Sequence, residues 1–234
     1  MNILAIGAHP DDLEMMCGGT LAKYAAQGHK IFMVHVATGN VGHMVIPQDE
    51  LIRIRSKEAF DAGSLIGAEV LSLGESDLFI RADNMKTRDK VIDLIRYARP
   101  DLIITHNPED YMDDHEQTSA LVYEASMAAT VPYYKSTHEF YGRLTPIFYM
   151  EAAAGVGPLP EEFVDISEFI DTKLEMLGKH ISQHKWLQEH DNMDVIDLSR
   201  TLSRLRGYQC DAAFAEGFSS CHRYHKLQTQ RWLP

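Results

Sequence analysis

Four short stretches of this 234-residue chain are mostly apolar: Ile3–Ala8, Lys30–Thr38, Val70–Leu73 and Asp101–His106. Runs of this length without polar alternation are what strands covered on both faces look like. The segments between them carry apolar residues at helical spacing. Asp12 to Gln27 offers Leu13, Met16, Leu21 and Tyr24 and stops at Gly28. Asp49 to about Leu65 gives a second helix, and Val91, Ile92, Leu94 and Ile95 mark a third, halted before Pro100. This alternation predicts an α/β fold: a doubly wound, Rossmann-like, mostly parallel sheet with helices on both faces. A helix at about Glu116–Ala129, a strand at Pro146–Glu151, a short edge strand at "FVDIS" and helices at about Glu168–Glu189 and Ile196–Ala215 follow. "GVGPLP" is the one Gly/Pro-rich stretch and is too short to divide the chain, so 1–234 is expected to be a single domain.

Charge narrows the partners. With 34 acidic residues against 22 Lys and Arg, the formal net charge is −12. Nucleic acid and anionic membrane both require clustered cations, so neither is an expected partner. Cys17, Cys210 and Cys221 are odd in number and form no C-x-x-C spacing, which indicates a reducing compartment without a disulfide framework. The chain opens on a strand without secretory-signal features, and no apolar run nears the roughly 18 residues of a membrane span. The expected location is cytoplasmic.

Two of the apolar runs end on polar chemistry. Ile3–Ala8 leads directly into His9-Pro10-Asp11-Asp12, and the fourth run ends at His106 and continues through "NPEDYMDDHEQTS" to Asp113, Asp114 and His115. In doubly wound sheets ligands bind outside the carboxyl ends of the strands, where strand order reverses. A 3-2-1-4-5 order would make the first and fourth strands neighbours there, bringing the two clusters to one crevice. Two neutral imidazoles and a carboxylate leave an open position for water, which suits catalytic zinc. The doublet Asp11-Asp12 offers one carboxylate for metal and one for proton transfer. A helix start accounts for a single acid here. It accounts for neither His9 nor the second carboxylate.

"AHPDDLEMMCGGTL" resembles the A-H-P-D-D…G-G signature of the LmbE-like, or PIG-L, deacetylases, zinc-dependent enzymes that remove N-acetyl groups chiefly from N-acetylglucosamine-containing substrates. "RSKEAFDAGSLIG", "HNPEDYMDDHEQTS", "KLEMLGKHISQ" and "FAEGF" resemble later segments of that family in the same order. The resemblance implies that His9, Asp12 and His115 bind Zn2+, with Fe2+ as the alternative metal. It implies Asp11 as general base and later acid, Asp114 as a histidine-orienting aspartate and Arg55 as a substrate-binding residue. A small amino-sugar substrate and a homo-oligomer, trimer or hexamer, follow as expectations. One departure stands out: the second family motif is commonly H-x-D-H, whose first histidine polarises the carbonyl, and this chain has Met112 there. A thioether donates no hydrogen bond. His180 is the first candidate replacement, followed by Tyr111 and His106, while Asn40 sits in a loop that a substrate would reach.

Rival readings are an amidohydrolase acting on another N-acyl substrate and a non-catalytic sugar- or metal-binding protein of the same fold. A dinucleotide enzyme ranks third, because Gly18-Gly19 sits in no phosphate-loop motif. Close helix packing explains those glycines better.

Overall fold

Burial on both faces is what the apolar runs require, and a central parallel sheet provides it. In chain order the elements are β1 (Asn2–Gly7), α1 (Asp12–Ala26), β2 (Lys30–Ala37), α2 (Gln48–Ser64), β3 (Glu69–Glu75), α3 (Met85–Ala98) and β4 (Leu102–His106). There follow α4 (Asp113–Ala128), β5 (Ile147–Met150), β6 (Glu162–Asp165), α5 (Ile170–Leu177), α6 (Ile181–His190), α7 (Val195–Gln209) and β7 (Ala215–Ser220). The computed structural model describes residues 1–224, 226 and 233–234.

The sheet runs β3-β2-β1-β4-β5-β7-β6. Its first five strands are parallel, and β7 and β6 complete it antiparallel. Alternate residues of each buried strand feed two cores. Ile3, Ala5, Met33 and Ile104 meet Leu13, Met16 and Leu21 of α1 and Leu174 of α5 on one face. Leu4, Ile6, Val34 and Ile103 meet Val91 and Ile92 of α3 and Leu121 and Val122 of α4 on the other. The expected doubly wound α/β architecture is therefore the one observed. Strand order reverses between β1 and β4, where Ile6 pairs with Thr105, so both strands end at the same level.

Two helix expectations need correction. The segment expected as one helix over Glu168–Glu189 is two, α5 and α6, separated at Gly178-Lys179-His180. Helical periodicity continues across that break, but the turn lets His180 face inward against Glu14. The last helix stops at Gln209 rather than Ala215, and Asp211 adopts a left-handed φ of 58° before β7 begins. "AEGFSS" becomes a strand because β5 and β6 offer it hydrogen bonds on both sides. Local pattern does not report such long-range pairing.

α1 is buried on nearly its whole circumference. Glu216 of β7 accepts from the Gly19 and Thr20 amides at 2.9 and 2.7 Å, and Lys173 donates to the same carboxylate at 2.7 Å. Gly19 also lets Ile166 pack directly on α1: a Cβ there would lie 2.7 Å from Ile166 Cδ1 and 2.9 Å from its Cβ. Gly19→Ala would gain about 1 kcal/mol of helix propensity. Overpacking of about 1–3 kcal/mol opposes it. A net loss of stability is expected, read as a lower urea midpoint; a higher midpoint would contradict this account of the packing.

Candidate active site and metal centre

The reversal point between β1 and β4 gathers the polar ends of both strands. His106 closes β4 and ties the two together, its Nε2 lying 2.9 Å from the Ala8 amide and 3.1 Å from Asp12 Oδ2. Its ring stacks on His115 with centroids 3.9 Å apart. His9 follows β1, Asp12 opens α1, and His115 sits in the first turn of α4. His9, Asp12 and His115 can each point one ligand atom into a space where those atoms lie within 4.8 Å of one another.

The outer nitrogens of both histidines are already held. His9 Nε2 lies 3.0 Å from Asp114 Oδ2, leaving Nδ1 towards Asp12 at 3.6 Å. His115 Nδ1 lies 3.0 Å from Asp110 Oδ1, leaving Nε2 at 3.4 Å from Asp12 Oδ1. The histidine that Asp114 meets is His9, not its sequence neighbour His115. Asp114 Oδ2 also accepts from the Leu78 amide at 2.6 Å, which anchors the loop after β3. Carboxylate support of this kind fixes the tautomer and orientation of metal-binding imidazoles.

Electrostatics agree. Burial opposes charge on His9, yet hydrogen bonds to Asp114 and Asp12 raise its pKa to about 9. Burial likewise opposes charge on His115, and Asp12 and Asp110 raise it to about 10. Burial would lift Asp12, but His115 above all holds its carboxyl well below the usual range. The pocket therefore has surplus negative potential drawing positive charge to its centre. A divalent cation fits there: one carboxylate and two oriented imidazoles form the donor set. A second trio, His106, Asp110 and His115, has comparable spacing. Neither His106 nor Asp110 lines the cavity, so a cation held there would not face substrate.

Asp11 points elsewhere. Its backbone takes φ 113°, a left-handed conformation costly for any residue with a side chain, by about 1–3 kcal/mol. That twist separates the two adjacent carboxylates, sending Asp12 to the imidazoles and Asp11 to Arg55 Nη2, 3.3 Å from its Oδ1. Burial, partly offset by Arg55 and reinforced by Asp12, raises the Asp11 pKa to about 6. Arg55 is itself buried and donates to the Pro10 and Gly39 carbonyls. Gly39 has φ 77°, and a Cβ there would overlap the guanidinium at 2.4 Å.

These groups open into a cavity of about 330 Å³, also lined by Tyr111 and Met112. Other residues singled out in the sequence lie outside its lining. His180 is fully buried, its Nε2 3.1 Å from Glu14 Oε1. Asn40 spends its side chain on Ser76 and the Asp77 amide. Sequence reasoning passed over Asp110, Glu14 and Asp77. Asp77 lines the cavity and accepts from the Gly39 and Val41 amides, shaping the loop after β2. An acid in a loop reads the same whether it faces solvent or the interior; for Asp110 the one available signal was its spacing, four residues after His106 and five before His115.

The family model described as PIG-L: GlcNAc-PI de-N-acetylase matches residues 4–126, which contain every residue of the metal trio and Asp11. The "Uncharacterized deacetylase YaiS" of Escherichia coli K12 is 31% identical over 185 residues, covering 77% of this chain and 90% of that protein. The "4-oxalmesaconate hydratase" of Pseudomonas putida KT2440 is 26% identical over 194 residues, covering 78% of this chain and 74% of that protein. In structure, the N,N'-diacetylchitobiose deacetylase of Pyrococcus horikoshii shares the fold with a TM-score of 0.81 at 23% identity, covering 94% of this chain and 83% of that one. The chain belongs to the PIG-L family.

Asp110→Asn and Asp114→Asn each leave the three candidate ligands in place and weaken only their support. Each is expected to lower zinc affinity about 10- to 100-fold with the circular dichroism spectrum retained. Chelator competition measures this, and unchanged affinity in both variants would remove the supporting role.

Proposed function

We propose that this chain hydrolyses the N-acetyl amide of an N-acetylglucosamine-type amino sugar or glycoconjugate. The observation carrying the reading is the divergence of Asp11 and Asp12: a His-Asp-His trio with its donor atoms converging and a separate buried carboxylate share one cavity. His9, Asp12 and His115 would hold Zn2+, or Fe2+ in its place, with Asp114 and Asp110 orienting the two imidazoles. When bound, the cation supplies Lewis-acid polarisation and lowers the pKa of a coordinated water towards about 7.

The chain's own residues account for the proton movements. Asp11 takes a proton from the attacking water as its oxygen bonds to the carbonyl carbon, then delivers it to the nitrogen as the C–N bond breaks. Acetate and a free amine leave. Arg55 holds Asp11 in place through its guanidinium and offers positive charge beside the reacting centre. Tyr111 supplies the hydroxyl that Met112 lacks: it lines the cavity, its ring standing edge-on to His115 with centroids 5.5 Å apart. Burial, with Asp12 and Asp110 nearby, pushes the Tyr111 phenol above its ordinary range, so it remains a donor at neutral pH. His180, beneath the site, supports the α1 turn through Glu14.

A second reading is addition of water to a carbon–carbon double bond. Met112 favours it, because a hydration needs no histidine to polarise an amide carbonyl, and one relative is named a hydratase.

Acetate release from a panel of N-acetylglucosamine conjugates, run beside a hydration assay on unsaturated dicarboxylates, tests the choice. The expected result is acetate release by the wild type and a roughly 10²- to 10⁴-fold lower kcat in Asp11→Asn, with metal content unchanged. Asn tolerates left-handed backbone comparatively well. Hydration without acetate release would overturn deacetylation, and full activity in Asp11→Asn would overturn the base assignment.

A further inference from the structure

The cavity's lining is divided in character. His9, Asp11, Asp12, Arg55 and His115 supply the reacting end. Met15 and Met16 of α1, with Trp186 and Leu187 of α6, add thioether, indole and alkyl surface to the same space. An amino-sugar ring alone presents hydroxyls, and each hydroxyl buried without a partner weakens binding.

The remaining polar wall groups are largely committed to the protein. Asp77 accepts from the Gly39 and Val41 amides, Gln183 Nε2 donates to the Gly42 carbonyl at 3.0 Å, and Asp191 pairs with His190 at 2.7 Å. Trp186 is set in position by its neighbours. Its ring stacks on His190 with centroids 4.3 Å apart and lies 6.4 Å from His43 in the loop after β2. The Gln183–Gly42 hydrogen bond ties α6 to that same loop, so the indole is presented on a braced mouth.

Building on the deacetylase reading, we infer that the substrate carries an apolar substituent, aromatic or alkyl, that seats against Met15, Met16, Trp186 and Leu187 while its amide lies beside Asp11. The occupant is part of the substrate, because this surface is continuous with the reacting end of one cavity. A substituent of this chemistry reaches the cavity as the aglycone of an N-acetyl sugar or, where the amide cleaved is a longer N-acyl one, as the acyl chain. Burying a phenyl- or hexyl-sized group there removes apolar area from water without leaving polar groups unpaired.

The test compares methyl N-acetylglucosaminide with phenyl N-acetylglucosaminide and with methyl N-hexanoylglucosaminide, using zinc-loaded protein. At least one apolar arm is expected to exceed the methyl acetamide by about tenfold or more in kcat/KM, mainly through a lower KM. The arm that does so identifies whether the aglycone or the acyl chain is seated. In Trp186→Ala that ratio should fall below about threefold, and Trp186→Phe should keep most of it. Ratios within about twofold of unity in the wild type, or a ratio untouched by Trp186→Ala, would overturn the inference. Calorimetric binding of the same three compounds separates this inference from the deacetylase reading. Tighter binding of an apolar arm, with no turnover of any of the three, supports the subsite and rejects deacetylation; equal binding of all three rejects the subsite.

Discussion

The carboxylate of Asp12 is almost wholly withdrawn from water, and a buried charge persists only where partners compensate it. Here the compensation comes from the His9 amide, which donates to Oδ2 at 2.7 Å, and from two imidazoles: His9 beyond β1 and His115 on the helix that β4 feeds. The β1–β4 register brings those groups to one level, and the Ala8–His106 hydrogen bond closes the gap between the strands. Removing the strand reversal would leave Asp12 without His115. The sheet topology and the electrostatics of the site are therefore one constraint.

A second layer separates two chemically identical neighbours. Asp11 and Asp12 would compete for one centre on ordinary helical backbone. The left-handed φ at Asp11 turns its carboxylate towards Arg55, and Arg55 in turn pins the Pro10 and Gly39 carbonyls. Backbone strain at this point is offset by a buried guanidinium and continues into a helix packed on all sides. Such strain persists only where the surroundings over-determine it. Glu216, Lys173 and the close approach at Gly19 provide that rigidity from the opposite side of α1.

Much of this was legible in the sequence, for physical reasons. Unbroken apolar strands such as Ile3–Ala8 announce two-sided burial, and helical spacing between them leaves a parallel sheet as the economical solution. The polar strand ends then fall at the reversal. What escaped was whatever depends on distant partners. β7 pairs with β5 and β6 on its two sides, and the turn between α5 and α6 places His180 beside Glu14. Asp110 and Asp77 read as loop acids until the fold shows what they accept from. Arg55 was recognisable as a residue of the site, while its three contacts within the chain belong to geometry alone.

The central claim is that His9, Asp12 and His115 form a cation site. Elemental analysis of protein dialysed after zinc loading tests it directly, comparing the wild type with His115→Ala. The account predicts about equimolar zinc in the wild type and less than about a tenth of that in the variant. A wild type that retains no zinc, or a variant that retains as much as the wild type, would contradict it.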